Sequence, residues 1–231
     1  MTANNPQSFD HFAEHYDQAV SLERDHAFFL KHLPQRRRRV LDVGCGTGLL
    51  AYELSQYFES VVAIDLSAPM LAIARRKRSA ANIDYREADA DHLAIDETYD
   101  AIVSHTTFHH LQNISATLSA LTAALEPGGR LILVDNVARW TFVPRCGYTL
   151  SIISACARFT PDTLRRGFSP AWCLFRFRTS RPWMDHIRSD RYLSPVQFRE
   201  VYGRDPPGAS FTPLKYFIGV VWQKPGGDTG Q

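Results

Sequence analysis

Apolar positions along this chain change their period several times, and each change marks an element. Phe9, Phe12, Ala13, Tyr16, Ala19 and Val20 recur three or four residues apart, the spacing of one helical face. A second helical stretch, about Leu22 to Leu33, stops at Pro34. From Val40 onward short apolar runs alternate with helical periods. Strands are predicted at Val40–Val43, Val61–Asp65, Ile83–Arg86, Tyr99–Ser104 and Arg130–Asp135. Helices are predicted near Gly48–Phe58, Pro69–Arg78 and Asn113–Leu125, the last stopped by Pro127-Gly128-Gly129. Five strands alternating with helices predict βαβ units and a doubly wound parallel sheet.

After Asp135 the rhythm breaks. Residues 137–193 are rich in Arg, Trp and Phe without strand alternation and read as an insertion or lid. A helix follows from about Ser194 to Tyr202, with Ser194 as N-cap and Pro195 in the first helical position. The runs Phe211–Tyr216 and Phe217–Gln223 predict an antiparallel edge pair, and the Gly-rich tail from Pro225 reads as a frayed end.

With 231 residues, 45% of them hydrophobic, the chain fits one domain with a sizeable core, 1–231, carrying an N-terminal helical cap at 1–35. A net charge of +2 gives no ground for expecting a polyanion, and Arg36 to Arg39 read as a solvated linker. Cys45, Cys146, Cys156 and Cys173 have neither C-x-x-C nor metal-ligand spacing, so no disulfide framework and no metal site is expected, and a reducing cytoplasm is. Met1 to Asp10 lacks the apolar region of a secretory signal. The longest mostly apolar stretch, Gly147 to Ala157, falls well short of the ~20 residues that span a bilayer, so no transmembrane segment is expected.

The chemistry concentrates in Val40-Leu-Asp-Val-Gly-Cys-Gly-Thr-Gly48, an apolar strand that runs into a glycine-rich turn and then a helix. Gly44, Gly46 and Gly48 let a ligand lie against the backbone at the carboxyl end of the first strand. The second strand ends in Asp65, where a carboxylate can accept hydrogen bonds from both hydroxyls of a ribose. Asp89 follows the third strand beside the same crevice, placed to accept from an exocyclic adenine amine.

These segments resemble the class I S-adenosylmethionine-dependent methyltransferases, in the small-molecule branch with D-x-G-x-G-x-G after the first strand. The matching residues are Asp42 to Gly48, Ile64 to Leu71, Ala88-Asp89-Ala90 and Leu125 to Leu131, within a resemblance that runs from about Phe9 to Asp135. It implies an α/β, Rossmann-like, doubly wound seven-stranded sheet with the last strand antiparallel. The implied cofactor is S-adenosyl-L-methionine and the implied partner a small-molecule acceptor, methylated on oxygen, nitrogen or carbon by in-line transfer. Gly44 and Gly46 would line the methionine moiety, with Asp42 and Cys45 in the same loop. Asp65 would hold the ribose, Asp89 and Ala90 would bracket the adenine, and Leu66 or Met70 would pack on its ring. Tyr16 would fold over the cofactor, and His105 would line its pocket.

Methyl transfer from a sulfonium needs alignment more than activation, and a general base matters when the acceptor is a hydroxyl, phenol or acidic carbon. His109 and His110, just beyond the fourth strand, are the candidate bases, because imidazole takes a proton near neutral pH. Asp185 and His186 form a second candidate pair. Between Arg139 and Arg191 ten arginines face three acids, a net +7 that leaves the rest of the chain near −5. That asymmetry fits an anionic substrate, a carrier-bound acyl chain, a membrane surface, or salt bridges onto the acidic sheet domain.

The insertion's apolar run, Tyr148, Leu150, Ile152, Ile153, Ala155, Cys156 and Phe159 between Arg145 and Arg158, reads as core or as the wall of an acceptor pocket. With Trp140, Trp172, Trp183, Phe175 and Phe177 nearby, it favours an aromatic or lipid-like acceptor. The competing readings are a non-methylating enzyme such as a cyclase on the same fold, a cofactor-binding adaptor subunit, and a nicotinamide-dependent oxidoreductase. The G-x-G-x-G spacing disfavours the oxidoreductase, and the intact motif disfavours the adaptor. No Asn-Pro-Pro-Tyr-type motif follows the fourth strand, so a nucleic-acid partner is not expected.

Overall fold

In the central parallel strands most positions are apolar, because both pleat faces of the sheet are covered there, while the edge strand Ile83–Glu87 is largely polar and exposed. Val40, Val61, Ala63, Ala101, Val103, Ile132 and Val134 pack into one core cluster, and Leu41, Val43, Val62, Ile64, Ile102, Leu131 and Leu133 into a second. The computed structural model describes residues 10, 12–23, 25–138, 147–190, 192–204 and 206–226, with the backbone alone at 147, 148, 188 and 189. The expectations for Trp140, Arg145 and the Tyr148 side chain lie outside the described residues.

The strands are β1 (Arg39–Val43), β2 (Ser60–Asp65), β3 (Ile83–Glu87), β4 (Tyr99–His105), β5 (Leu125–Asn136), β6 (Ser210–Leu214) and β7 (Phe217–Gln223). They form one seven-stranded sheet in the order β3-β2-β1-β4-β5-β7-β6. The pairs β1–β2, β1–β4, β2–β3 and β4–β5 are parallel, while β7 runs antiparallel to both β5 and β6. The expected α/β sheet with its antiparallel last strand is therefore present. Pro213 lies in the edge strand β6, where a missing N–H is tolerated.

The chain falls into two compact units. The larger, His26–Arg139 with Arg191–Gln231, holds the sheet. Its helices are α2 (Ala27–Lys31), α3 (Leu49–Leu54), α4 (Ala68–Lys77), α5 (Ile114–Ala123) and α9 (Pro195–Arg204). Phe29, Leu50, Leu54 and Leu71 cover one face from α2, α3 and α4, and Leu118, Leu121, Phe198 and Tyr202 cover the other from α5 and α9. The smaller unit, Met1–Asp25 with Trp140–Asp190, contains α1 (Ala13–Glu23), α6 (Gly147–Arg166), α7 (Phe168–Arg178) and α8 (Arg181–Ser189). The insertion is thus helical in its described part, around a cluster of Phe12, Ala19, Leu174 and Phe177.

Several local expectations are corrected. The helix predicted to reach Leu125 ends at Ala123, because Tyr99 N–H takes the Ala124 carbonyl at 3.0 Å and Leu125 already pairs with Tyr99. Pro127-Gly128-Gly129 then lies inside β5 beside a register shift, where the missing Pro N–H does no harm. Leu22 and Glu23 belong to α1 rather than to a second long helix, and α2 is a single short turn after His26.

The arginine run is exposed at Arg36, Arg37 and Arg38, as expected of a solvated segment, but it is also anchored. Asp100 accepts the backbone amides of Arg38 at 2.7 Å and Arg39 at 3.0 Å and pairs with the Arg36 guanidinium, which fixes the chain as it enters β1. In the smaller unit Arg178 pairs with Asp162 at 2.6 Å and with Glu23, so part of the insertion's positive charge is met by carboxylates of its own unit.

Candidate functional site

The chain leaves β1 toward β2 and β3 on one side and returns to β4 and β5 on the other. That order opens a crevice beyond the carboxyl ends of β1 and β4. Three segments reach it: the glycine turn after β1, Asp65 at the end of β2, and His105–His110 after β4.

The turn needs its glycines for different reasons. Gly44 and Gly46 have φ of +72° and +54°, the left-handed region that a side chain disfavours. At Gly44 a Cβ would also meet Thr107 Oγ1 at 2.1 Å, whereas at Gly46 it would meet nothing within 4 Å. Gly44 is therefore closed in by the loop after β4, and Gly46 faces open space. The Ile64 carbonyl accepts both Gly44 N–H at 2.8 Å and Cys45 N–H at 2.9 Å, so the turn folds back onto β2.

Asp65 completes that link. One carboxylate oxygen accepts Gly46 N–H at 2.7 Å and the other accepts Ser67 N–H at 2.9 Å, two residues on at the N-cap of α4. The carboxylate is held by the glycine turn on one side and the helix entry on the other.

The remaining predicted cofactor residues separate by exposure. Asp42 and Met70, 1% and 2% exposed, have no open surface to present, while Leu66 and Ala90 are partly open. Cys45 is buried in the turn, and burial followed by the nearby Asp65 and Asp42 carboxylates pushes its thiol well above the usual range. Asp89 caps the short 3-10 turn Ala90–His92 and accepts Asp91 N–H at 3.0 Å. A hydrogen bond from His92 and the Asp91 amide hold its carboxyl below the ordinary range. Tyr16 belongs to the smaller unit, where its ring packs against Phe12, Phe177 and Trp183.

After β4, His105 packs against Phe29, His26 and Phe217. Thr106 follows with φ +58°, a β-branched residue in the left-handed region and hence a strained one. Thr107 donates its hydroxyl to the Gly44 carbonyl at 3.3 Å, tying this loop to the glycine turn.

His109 then meets a partner that sequence reasoning missed. Asp135, near the end of β5, accepts the His109 amide at 2.9 Å with one oxygen and contacts His109 Nδ1 at 2.6 Å with the other. The Tyr202 hydroxyl of α9 donates to the same carboxylate at 3.2 Å. Burial, then Asp135, keeps the Tyr202 phenol well above its usual range, so it stays a donor. Tyr192 and His110 place their rings 5.2 Å and 4.0 Å from the His109 ring. One signal for Asp135 was present: an acid closing the apolar run Leu131–Val134, one strand from the two histidines.

Asp185 is exposed beside Arg181, while the buried His186 lies 3.6 Å from Asp190 and against Phe12 and Trp183. In the insertion's apolar run Ala155 is buried, but Leu150, Ile152 and Ile153 are exposed, so that run is not core.

A family model described as a methyltransferase domain matches residues 41–133. Malonyl-[acyl-carrier protein] O-methyltransferase of Bacillus cereus is 30% identical over 142 residues, 58% of this chain and 52% of that protein. Ubiquinone biosynthesis O-methyltransferase of Paramagnetospirillum magneticum is 26% identical over 208 residues, 88% of this chain and 72% of that protein. The chain spans about half the length of the Bacillus relatives it matches. Among solved structures, DhpI in complex with SAH superposes with a TM-score of 0.63 at 19% identity, covering 98% of this chain and 99% of that one, a likeness of fold.

Proposed function

We propose that this chain, whose residues 41–133 match a methyltransferase domain, is a class I S-adenosylmethionine-dependent methyltransferase that carries the methyl group of S-adenosylmethionine to a small-molecule acceptor, aromatic or lipid-like, in the cytoplasm. The observation that carries this reading is the hold of Asp65 on Gly46 N–H at 2.7 Å, which joins a ribose-type carboxylate to a glycine turn in one rigid unit.

The residues present fit the cofactor. The open side of Gly46 admits the methionine part against bare backbone. An ionised carboxylate has about four acceptor sites. The two amides fix the Asp65 carboxylate at the carboxyl end of β2, and in this reading its further acceptor capacity serves the ribose hydroxyls. Leu66 rather than the buried Met70 offers a surface to the adenine ring, with Ala90 and Asp89 at its edge. Asp42 and Cys45 build the turn from inside. When bound, the cofactor supplies an activated methyl group on a sulfonium.

His109 is the base in this reading. In the tautomer that donates Nδ1–H to Asp135, 2.6 Å away, the ring's lone pair is on Nε2, the atom that in this reading takes the proton of the acceptor. Asp135 fixes that tautomer and stabilises the imidazolium that forms, with Tyr202 holding the carboxylate from behind. An oxygen acceptor is favoured, since the Bacillus and Paramagnetospirillum relatives are named O-methyltransferases.

The test is transfer of labelled methyl from S-adenosylmethionine to a panel of catechols and quinols. Uptake by the wild type and its loss in Asp65→Ala support the reading. Full turnover in a folded Asp65→Ala variant contradicts the ribose role.

A further inference from the structure

Six of the nine exposed large hydrophobic residues among the described residues lie on α6 and α7: Leu150, Ile152, Ile153, Leu164, Phe168 and Trp172. On α6 they follow a helical period. Leu150, Ile153, Ala157 and Leu164 share one face and all are exposed, a stripe about 21 Å long at 1.5 Å per residue. The buried side of the same helix is marked by Ala155. This arrangement inverts the usual one, in which the apolar face of a helix turns inward.

The stripe continues onto α7 as a ladder of rings. Phe168 and Trp172 stack with centroids 6.3 Å apart and planes 6° from parallel, and Trp172 stacks on Phe175 at 5.6 Å. Leu164 is 83% and Phe168 65% exposed, so these side chains protrude rather than line a groove. The charges around them have one sign. Arg165 and Arg176 are exposed, and the single acid of the two helices, Asp162, is already paired with Arg178 at 2.6 Å.

We propose that the exposed face of α6 and α7 docks on an anionic lipid bilayer, lying in the headgroup plane with Leu164, Phe168 and Trp172 inserted and Arg165 and Arg176 against lipid phosphates. Protruding apolar side chains need a soft phase to enter, and an interfacial helix pairs such residues with arginine. Trp and Phe favour the depth where hydrocarbon meets headgroups. No helix among the described residues is long and apolar enough to cross a membrane, so the contact is peripheral. A second copy of the chain is a poorer occupant, because a two-fold contact through this face would set arginine against arginine.

The test is co-sedimentation of the full chain with phosphatidylcholine vesicles and with vesicles containing phosphatidylglycerol, at low and high salt. We expect at least about tenfold stronger partition onto the anionic vesicles, weakening with salt. The double variant Leu164→Gln, Phe168→Gln is expected to lose about tenfold or more of that partition. The pair Arg165→Glu, Arg176→Glu should abolish the preference for anionic lipid. All four positions are exposed, and circular dichroism checks that each variant is folded. Equal or absent partition on both vesicles overturns the proposal, as does wild-type partition by the Leu164–Phe168 variant. Self-association without lipid that disappears in that variant would also overturn it, making the face a contact between copies.

Discussion

His109 Nδ1 stands 2.6 Å from one oxygen of Asp135, and the other oxygen of that carboxylate accepts the His109 backbone amide at 2.9 Å. Both side chains are buried, 6% and 2% exposed, so the contact works in a medium that screens charge poorly. A carboxylate that grips both the ring and the backbone of one residue fixes its position and its tautomer together.

Asp135→Asn is nearly isosteric but removes the charge that stabilises an imidazolium. With a hydroxylated acceptor kcat should fall by about 10² or more, with a smaller change in KM, and the pH dependence of kcat should shift with it. Tyr202→Phe, which leaves the carboxylate in place, should have a milder effect. Single-turnover kinetics across pH check this, and an unaltered kcat in Asp135→Asn would remove His109 from the chemistry.

Gly44 and Gly46 should respond unequally to alanine. Both adopt positive φ, but a Cβ on Gly44 would fall 2.1 Å from Thr107 Oγ1. Gly46→Ala should destabilise by about 1 kcal/mol. Gly44→Ala should destabilise by about 3 kcal/mol, and adding Thr107→Ala should recover only the steric part. Urea midpoints of the four proteins check the ranking, which equal losses for the two single variants would contradict.

Asp100 should make stability depend on acid. Burial alone would raise its carboxyl, but the Arg36 guanidinium and the Arg39 and Arg38 amides outweigh it and hold the carboxyl below its ordinary range. A depressed folded value means that the stabilisation is complete above the unfolded value, near pH 4, and is lost as pH falls through the folded one. Asp100→Asn should therefore destabilise by about 2 kcal/mol at pH 7, a gap that narrows below pH 4. Thermal melts of both proteins from pH 7 to pH 3 measure it, and a gap independent of pH would exclude the carboxylate as its source.

Most of the sheet was legible because strands buried on both faces announce themselves as apolar runs, as in Val61–Ile64 and in Val40–Val43, which only Asp42 interrupts. Turn chemistry located Gly44–Gly48 and Asp65. The boundary at Ala123 was not legible, because the strand pairing of Leu125 with Tyr99 overrode Pro127 as a stop signal. Asp100 and Asp135 also escaped notice. Their partners lie 62 and 26 residues away, and a spacing of that kind leaves no periodic trace. Whether the apolar face of α6 is core was not legible, because periodicity identifies a face without saying which way it turns, and Leu150, Ile152 and Ile153 are exposed.

The cysteines should differ in reactivity. Cys45 is buried with its thiol held protonated, whereas Cys156 is exposed on α6. Peptide mapping after brief iodoacetamide treatment at pH 8 should find Cys156 alkylated and Cys45 protected until the protein unfolds. Labelling of both at equal rates would mean that the glycine turn is open in solution.

The most direct test of the central claim is calorimetric titration of the full chain with S-adenosylhomocysteine and, in parallel, with NAD. Micromolar binding of the adenosyl ligand with none for NAD is the result that the Gly46–Asp65 unit predicts. Binding of NAD, or of neither ligand by the folded protein, would contradict it.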